Sequence, residues 1–352
     1  MSENSWRPSA RRREPAELMK PVVDSAGWMP QELAGKDSWI YTLSAAEVGE
    51  ILAAVDQTQA RGIDLKDITR DDFPLPTLGA GLADVRSELL DGRGFALIRG
   101  LPVAGRDLEK TARAFWGIGA HMGRAVSQNG KGHMLGHVTD LGGDYAKVRG
   151  YMTRAHMKFH ADRADFLSLC CLQPAKSGGA HRICSSVTLY NEMLRQRPDL
   201  VKELTFRFYR ARKGELPPGE TEPWTRQPIF SVTDGYFAAR GASAAIAKGQ
   251  QLDGVPPLTP AQEEAIALYK SMTEQIAIDI DFHPGDISFV NNHVTLHSRT
   301  AFEDWPERER RRHLLRLWLS TDGARPVHDD IEREIRGVWV EGTVFQAPLE
   351  VA

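Results

Sequence analysis

The stretch "YMTRAHMKFHADRADFLSLCCL", residues 151–172, mixes aromatic, aliphatic and polar residues in uneven alternation. Period-two alternation marks a strand, so the stretch reads as one or two strands. Near its centre is "FHAD". His160 and Asp162 lie two positions apart, and in a strand such residues point to one face. Asp165 then falls out of phase. A neutral imidazole beside a carboxylate suits a divalent first-row metal, and two histidines with one carboxylate and open positions suit iron. An isolated HxD triplet fits a hydrogen-bonded surface histidine equally well, so the rest of the chain must decide.

Three features further along bear on it. "HPGDISFVNNHVTLHSRT" (283–300) reads as a turn followed by a strand, which could deliver His297 to the same pocket. "RHLLRLWLS" (312–320) is a strand with alternating faces. It puts Arg312 and Arg316 on one side, and two inward guanidiniums call for a dianion or two carboxylates. "SGG" (177–179) would let backbone pass close to a ligand. His283, His293 and His313 are out of phase with the triad and are expected in turns or at the surface.

The remaining elements follow from caps and breakers. "LSAAEVGEILAAVDQTQARG" (43–62), "GLADVRSELLDGRG" (81–94), "RDLEKTARAFWGIGAHMG" (106–123) and "SSVTLYNEMLRQRPDL" (185–200) have helical spacing. In "LTPAQEEAIALYKSMTEQIAI" (258–278), Thr259, Pro260 and Gln262 form a cap, a first-turn proline and a capping-box partner. "FALIRGLPV" (95–103) is a buried strand, and the prolines within 203–240 restrict that region to strands and turns. Strands dominate the second half, with helices ahead of them and two inserted later. The expected fold class is α+β with a mainly β core: a double-stranded β-helix, or jelly roll, with flanking and inserted helices. No linker separates two cores. Residues 1–20 are expected to form a flexible N-terminal arm, and 21–352 a single jelly-roll domain with a helical N-terminal part.

Composition sets limits. A chain of 352 residues with a net charge of −3 presents no bulk nucleic-acid surface or polybasic membrane surface. Its apolar runs are too short for a transmembrane helix, and "MSENSWRPSARRREPAELMK" lacks the apolar core of a signal peptide. The three cysteines, Cys170, Cys171 and Cys184, fit a reducing cytoplasmic setting and buried strand packing. Oligomeric state is not legible, and a homo-oligomer is compatible with the sequence.

Together, "FHAD", "AKSGG", "PGDISFVNNHVTLHSRTAFED" and "RRHLLRLWLS" resemble the TauD/TfdA group of Fe(II)- and 2-oxoglutarate-dependent dioxygenases, which includes clavaminate-synthase-like enzymes. The resemblance runs from about Phe95 to Ser320. It implies that His160, Asp162 and His297 ligate Fe(II) and that Arg316 pairs with the distal carboxylate of the cosubstrate 2-oxoglutarate. Arg312 would lie near the carboxylate at the metal end. The family often has Thr or Ser just after the glycine pair; here His181 stands there, and imidazole can donate the equivalent hydrogen bond. With O2, such enzymes oxidise an unactivated C–H bond and release succinate and CO2.

For the substrate, a small polar metabolite such as an amino acid, amine or carboxylate is expected. The candidate contacts are Gln128 and Asn129 on a loop ahead of the metal strand, then His156, Tyr151 and Arg154. Ordinary turn or packing roles are the alternative for these five. A metal-dependent hydrolase or isomerase on the same fold leaves the two arginines unexplained. A catalytically silent binding protein of the same fold would be expected to lack a ligand residue.

Overall fold

The computed structural model describes residues 5–105, 107–142 and 152–350. The strands, in chain order, begin with β1 (Ile40–Thr42), β2 (Phe95–Arg99), β3 (Arg124–Val126), β4 (Leu135–Thr139), β5 (Met157–His160) and β6 (Phe166–Gln173). Next come β7 (Ser177–Gly178), β8 (His181–Ser185), β9 (Arg207–Ala211), β10 (Trp224–Pro228), β11 (Phe230–Thr233) and β12 (Tyr236–Ala239). The last are β13 (Ile278–Ile280), β14 (Ile287–Asn291), β15 (Thr295–Arg299), β16 (Phe302–Glu303) and β17 (His313–Ser320).

Two sheets form the frame. The larger runs β1-β2-β14-β6-β17-β3, with β4 also paired to β17, and the smaller runs β13-β8-β15-β5. This is the expected double-stranded β-helix, built from two facing sheets rather than a closed barrel. Alternation assigns each strand face. Leu315, Leu317 and Leu319 of β17 pack toward the N-terminal helices, with Phe289 and Phe115, while Leu314 and Trp318 face the space between the sheets, with Leu167, Cys171 and Ile183. On the outer side of the smaller sheet, Cys184 and Leu296 meet Tyr190, Met193, Phe230 and Tyr269. The layers are therefore helix, large sheet, small sheet, helix.

The helices form where caps and spacing place them. Ser44 caps Ala45–Ala60 with Glu47 completing the capping box, and Thr259 with Gln262 does the same for Pro260–Gln275. Of the stripe on that last helix, Ile266, Tyr269 and Met272 are buried. Pro198 ends the helix Ser186–Gln196 but also starts another, Pro198–Leu204, because proline is accepted in a first turn. Among the described residues no helix is long and apolar enough to cross a membrane. Cys170, Cys171 and Cys184 are free and buried, and burial raises each thiol above its ordinary range.

Three expectations need correction. Residues 5–20 lie against the body rather than standing off as an arm. Trp6 and Ala16 are buried, Arg11 pairs with Glu88 at 2.8 Å, and Arg13 stacks over Tyr236. Residues 283–300 hold two strands, β14 and β15, joined by a tight turn at 292–294. In that turn His293 is buried rather than at the surface, its Nε2 2.9 Å from Asp165 Oδ1. Asp165 also accepts from the Thr321 N–H, so it ties β6, the β14–β15 turn and the end of β17 together. Asp165→Ala is expected to lower the free energy of unfolding by roughly 2–4 kcal/mol in a urea titration, since it orphans a buried imidazole and an amide.

Candidate metal centre and its cavity

His160 is the last residue of β5 and stands directly opposite His297 of β15. Their rings are 4.2 Å apart between centroids. Asp162 is not on a strand: β5 stops at His160, and Asp162 sits in the turn before β6. His160 and Asp162 do come together, at 3.9 Å, but strand phase is not the cause. The turn aims the carboxylate, and Asn292 holds the turn. Its Oδ1 accepts the Asp162 N–H at 3.0 Å and its Nδ2 donates to the Ala164 carbonyl at 3.1 Å.

The result is a compact donor set. One ligand atom each from His160, Asp162 and His297 lies within 4.8 Å of the others, so the three could hold a metal ion. The His160 Nδ1–H donates to the Lys158 carbonyl at 2.9 Å, which leaves the Nε2 lone pair toward the centre. The His297 Nε2 is 3.5 Å from Asp162 Oδ2. The Trp318 indole N–H donates to the same oxygen at 2.8 Å. Burial, reinforced by the neighbouring His297, pushes the His160 imidazole down to about 4. Burial alone would raise the Asp162 carboxyl, but His297, Arg316 and His160 hold it well below the usual carboxylate range. A neutral His160 imidazole and an ionised Asp162 carboxylate are forms a metal needs.

The two arginines enter from the facing sheet. Arg316 lines the same cavity as His160 and Asp162, and its charge acts on both. Gln128 fixes it: the Arg316 Nε donates to Gln128 Oε1 at 2.7 Å, and Gln128 Nε2 donates to the Arg316 carbonyl at 2.8 Å. Arg312 is buried further off, against Phe302 and Gly179. Its Nη1 has no hydrogen-bond partner among the described residues, and burial pushes its guanidinium down to about 10. His181 is on β8, stacked on Phe282 at 5.3 Å and 6.2 Å from the His297 ring. Its Nε2 is also buried without a partner among the described residues. The glycine pair serves this corner. A Cβ on Gly178, which has φ +70°, would come within 2.4 Å of the Ala301 carbonyl oxygen just before β16, and one on Gly179 would come within 3.1 Å of Arg312 Nε.

The other candidates scatter. Gln128 is buried as the Arg316 partner, and Asn129 Oδ1 accepts from the Lys131 and His133 N–H groups in a turn. His156 precedes β5 and points to Glu274 at 3.4 Å. Arg154 pairs with Asp140 at 2.8 Å on the surface. Tyr151 lies outside the described residues. Sequence reading missed Trp318, Asn292, and the cavity arginines Arg210 and Arg240. Trp318 was detectable, being two positions past Arg316 on the same strand face.

Two facing sheets with a two-histidine, one-carboxylate centre at one end define a class, the non-haem iron oxygenases. Family comparison is specific: residues 60–318 match the model described as "Taurine catabolism dioxygenase TauD, TfdA family". The chain belongs to that family, whose members are Fe(II)- and 2-oxoglutarate-dependent dioxygenases. It is 30% identical over 319 residues to FR-33289 synthase of Streptomyces rubellomurinus, an alignment covering 88% of this chain and 93% of that protein. It is 29% identical to the taurine hydroxylase-like protein SAT17 of Stachybotrys chartarum, with 93% and 90% covered. In fold it is similar to asparagine oxygenase, solved with Fe(II), 2S,3S-3-hydroxyasparagine and succinate (TM-score 0.62, 18% identity, 80% of this chain and 94% of that one). The non-haem iron oxygenase OrfP, solved with Fe, succinate and (3S)-hydroxy-L-Arg, is similar too (TM-score 0.60, 15% identity, 82% and 99%).

The protonation states give a pH prediction for the protein without added metal. His160 and His313 both have folded values near 4, below the unfolded value of about 6.5. The unfolded chain therefore binds more protons between those limits, and stability is lost as pH falls from about 6.5 toward 4. Thermal melts across that window should show a falling midpoint, and a flat profile would count against neutral buried imidazoles.

Proposed function

We propose that His160, Asp162 and His297 ligate Fe(II), and that the enzyme oxidises an unactivated C–H bond of a small polar metabolite, with conversion of 2-oxoglutarate to succinate and CO2. The observation that carries the reading is the donor set flanked by two inward arginines and an unpartnered histidine. Bound iron, with 2-oxoglutarate and O2, would supply the oxidising chemistry. The side chains supply binding and orientation. Trp318 fixes the Asp162 carboxylate, and the His160 Nδ1–H bond fixes the ring that offers Nε2. Arg312 and His181, each with a buried unpartnered nitrogen, suit the distal carboxylate of the cosubstrate. Arg316, nearer the triad and held by Gln128, suits the metal end. This reverses the order expected for the two arginines, because Arg316 and not Arg312 shares the cavity with His160 and Asp162. Hydroxylation is the simplest outcome, with desaturation and ring closure open to the same site. The three buried thiols fit a reducing, cytoplasmic setting.

Anaerobic addition of Fe(II) and 2-oxoglutarate should give a weak visible charge-transfer band that is absent in His160→Ala. Folded wild-type protein without the band would refute the reading. Trp318→Phe removes one hydrogen bond to the ligand carboxylate and should weaken metal affinity by roughly 10–100-fold in a metal titration. Its 2-oxoglutarate affinity, measured at saturating metal, should change little.

A further inference from the structure

The cavity that opens onto His160 and Asp162 has a volume of about 340 Å³, the size for a small metabolite. Its lining includes eight Lys and Arg side chains against three carboxylates. Some of these cations are accounted for. Arg163 and Arg212 share Glu334, at 2.6 and 3.1 Å, and Arg316 belongs with the cosubstrate. Arg210 and Arg240 are different. Both are buried, and neither has a carboxylate within ion-pair distance among the described residues. Arg210, on β9, donates through Nη1 to the Gly241 carbonyl at 2.9 Å, while its Nε and Nη2 have no partner among the described residues. Arg240, just after β12, donates through Nη1 to the Asp162 backbone carbonyl at 2.9 Å, which places its guanidinium beside the metal turn.

A buried guanidinium without a counter-charge is costly. Burial, with the Arg240 charge alongside, pushes Arg210 down to about 9. The Asp162 and Glu334 carboxylates partly offset the Arg240 charge from a distance, whereas Arg210 is set against that second cation, and iron with 2-oxoglutarate, at about +2 and −2, adds no net charge. The two arginines are also on different elements from the β8 and β17 residues that suit the cosubstrate. Lys158 and Lys248 line the same cavity and extend the positive field toward it.

We infer that the substrate carries a terminal tetrahedral dianion, a phosphonate or a phosphate monoester, which Arg210 and Arg240 bind beside the metal centre. The inference rests on the dioxygenase reading and names the substrate class for that site. Two cations call for two negative charges, and guanidinium N–H pairs match the oxygens of such a group. The carbon to be oxidised would then lie a few bonds from the anion, over the triad.

The test uses full-length protein loaded anaerobically with Fe(II) and 2-oxoglutarate. Propylphosphonate, propyl phosphate, propanesulfonate, butyrate and butylamine are titrated at about pH 8, where the phosphorus groups carry close to two charges. Binding is read from the charge-transfer band and from the melting temperature. The two phosphorus compounds should bind at least about tenfold more tightly than the sulfonate or carboxylate, and the amine should not bind. Comparing the two phosphorus compounds tells phosphonate from phosphate. Arg210→Gln should abolish the preference while leaving the 2-oxoglutarate band intact. Equal binding across the series by the unmodified protein would overturn the inference, whatever the variant does. So would a preference that survives Arg210→Gln, or loss of the 2-oxoglutarate band in that variant. Absence of the band in wild type is a different failure and falls on the dioxygenase reading.

Discussion

Everything at the metal end depends on the clasp between two turns. Asn292, in the β14–β15 turn, holds the turn that follows β5 through both ends of its amide, and its own N–H donates to the Asp165 carbonyl at 2.9 Å. His293 adds its bond to the Asp165 side chain. One turn leads out of the smaller sheet and the other leads into it, so the clasp fixes where the sheets meet. It also sets the distance between His297, which follows one turn, and Asp162, which lies in the other. Because these groups are buried, each bond is exchanged for no water and a displaced partner would be left unsatisfied. That makes the geometry closer to all-or-none than adjustable.

Around this clasp the site divides by sheet. The smaller sheet brings His160, His297 and His181, and the larger brings Arg316 and Trp318 through alternate positions of β17. The flat packing faces of both sheets, with Leu314, Leu167 and Ile183 between them, keep this polar end dry on one side. On the other side the cavity is open to β9 and to the segment after β12. The neutral His160 and His181 imidazoles, an ionised carboxylate and inward cations are neighbours in a half-enclosed place, where burial sets protonation.

Much of this was legible in the sequence where local chemistry decides the outcome. Caps at Ser44 and Thr259 marked helix starts, alternation marked β17, and the pattern HxD with a later histidine marked the triad. The failures were long-range. Asp162 was paired with His160 by strand phase, yet its direction comes from Asn292, 130 positions away. Gln128 read as a polar loop residue, and only the fold shows it gripping Arg316 across 188 positions. Arg13 fell in the expected flexible arm, because nothing nearby announces that Tyr236 lies under it. Arg210 on β9 and Arg240 just after β12 belong to no motif, and only the fold brings them to one cavity.

The placement of Arg210 and Arg240 has an evolutionary consequence. β9–β10 and β11–β12 are separate two-stranded hairpins, outside the two sheets that carry the triad. Substitutions there can reshape the cavity while the strands that carry His160 and His297 keep their pairing. A lineage can thus diversify its chemistry by redrafting one insert, while the clasp and the triad stay constant. The end of β12 reaches the centre directly, through the Arg240 bond to the Asp162 carbonyl and the Ala239 N–H bond to the His293 carbonyl, so a change there would be felt by the clasp itself.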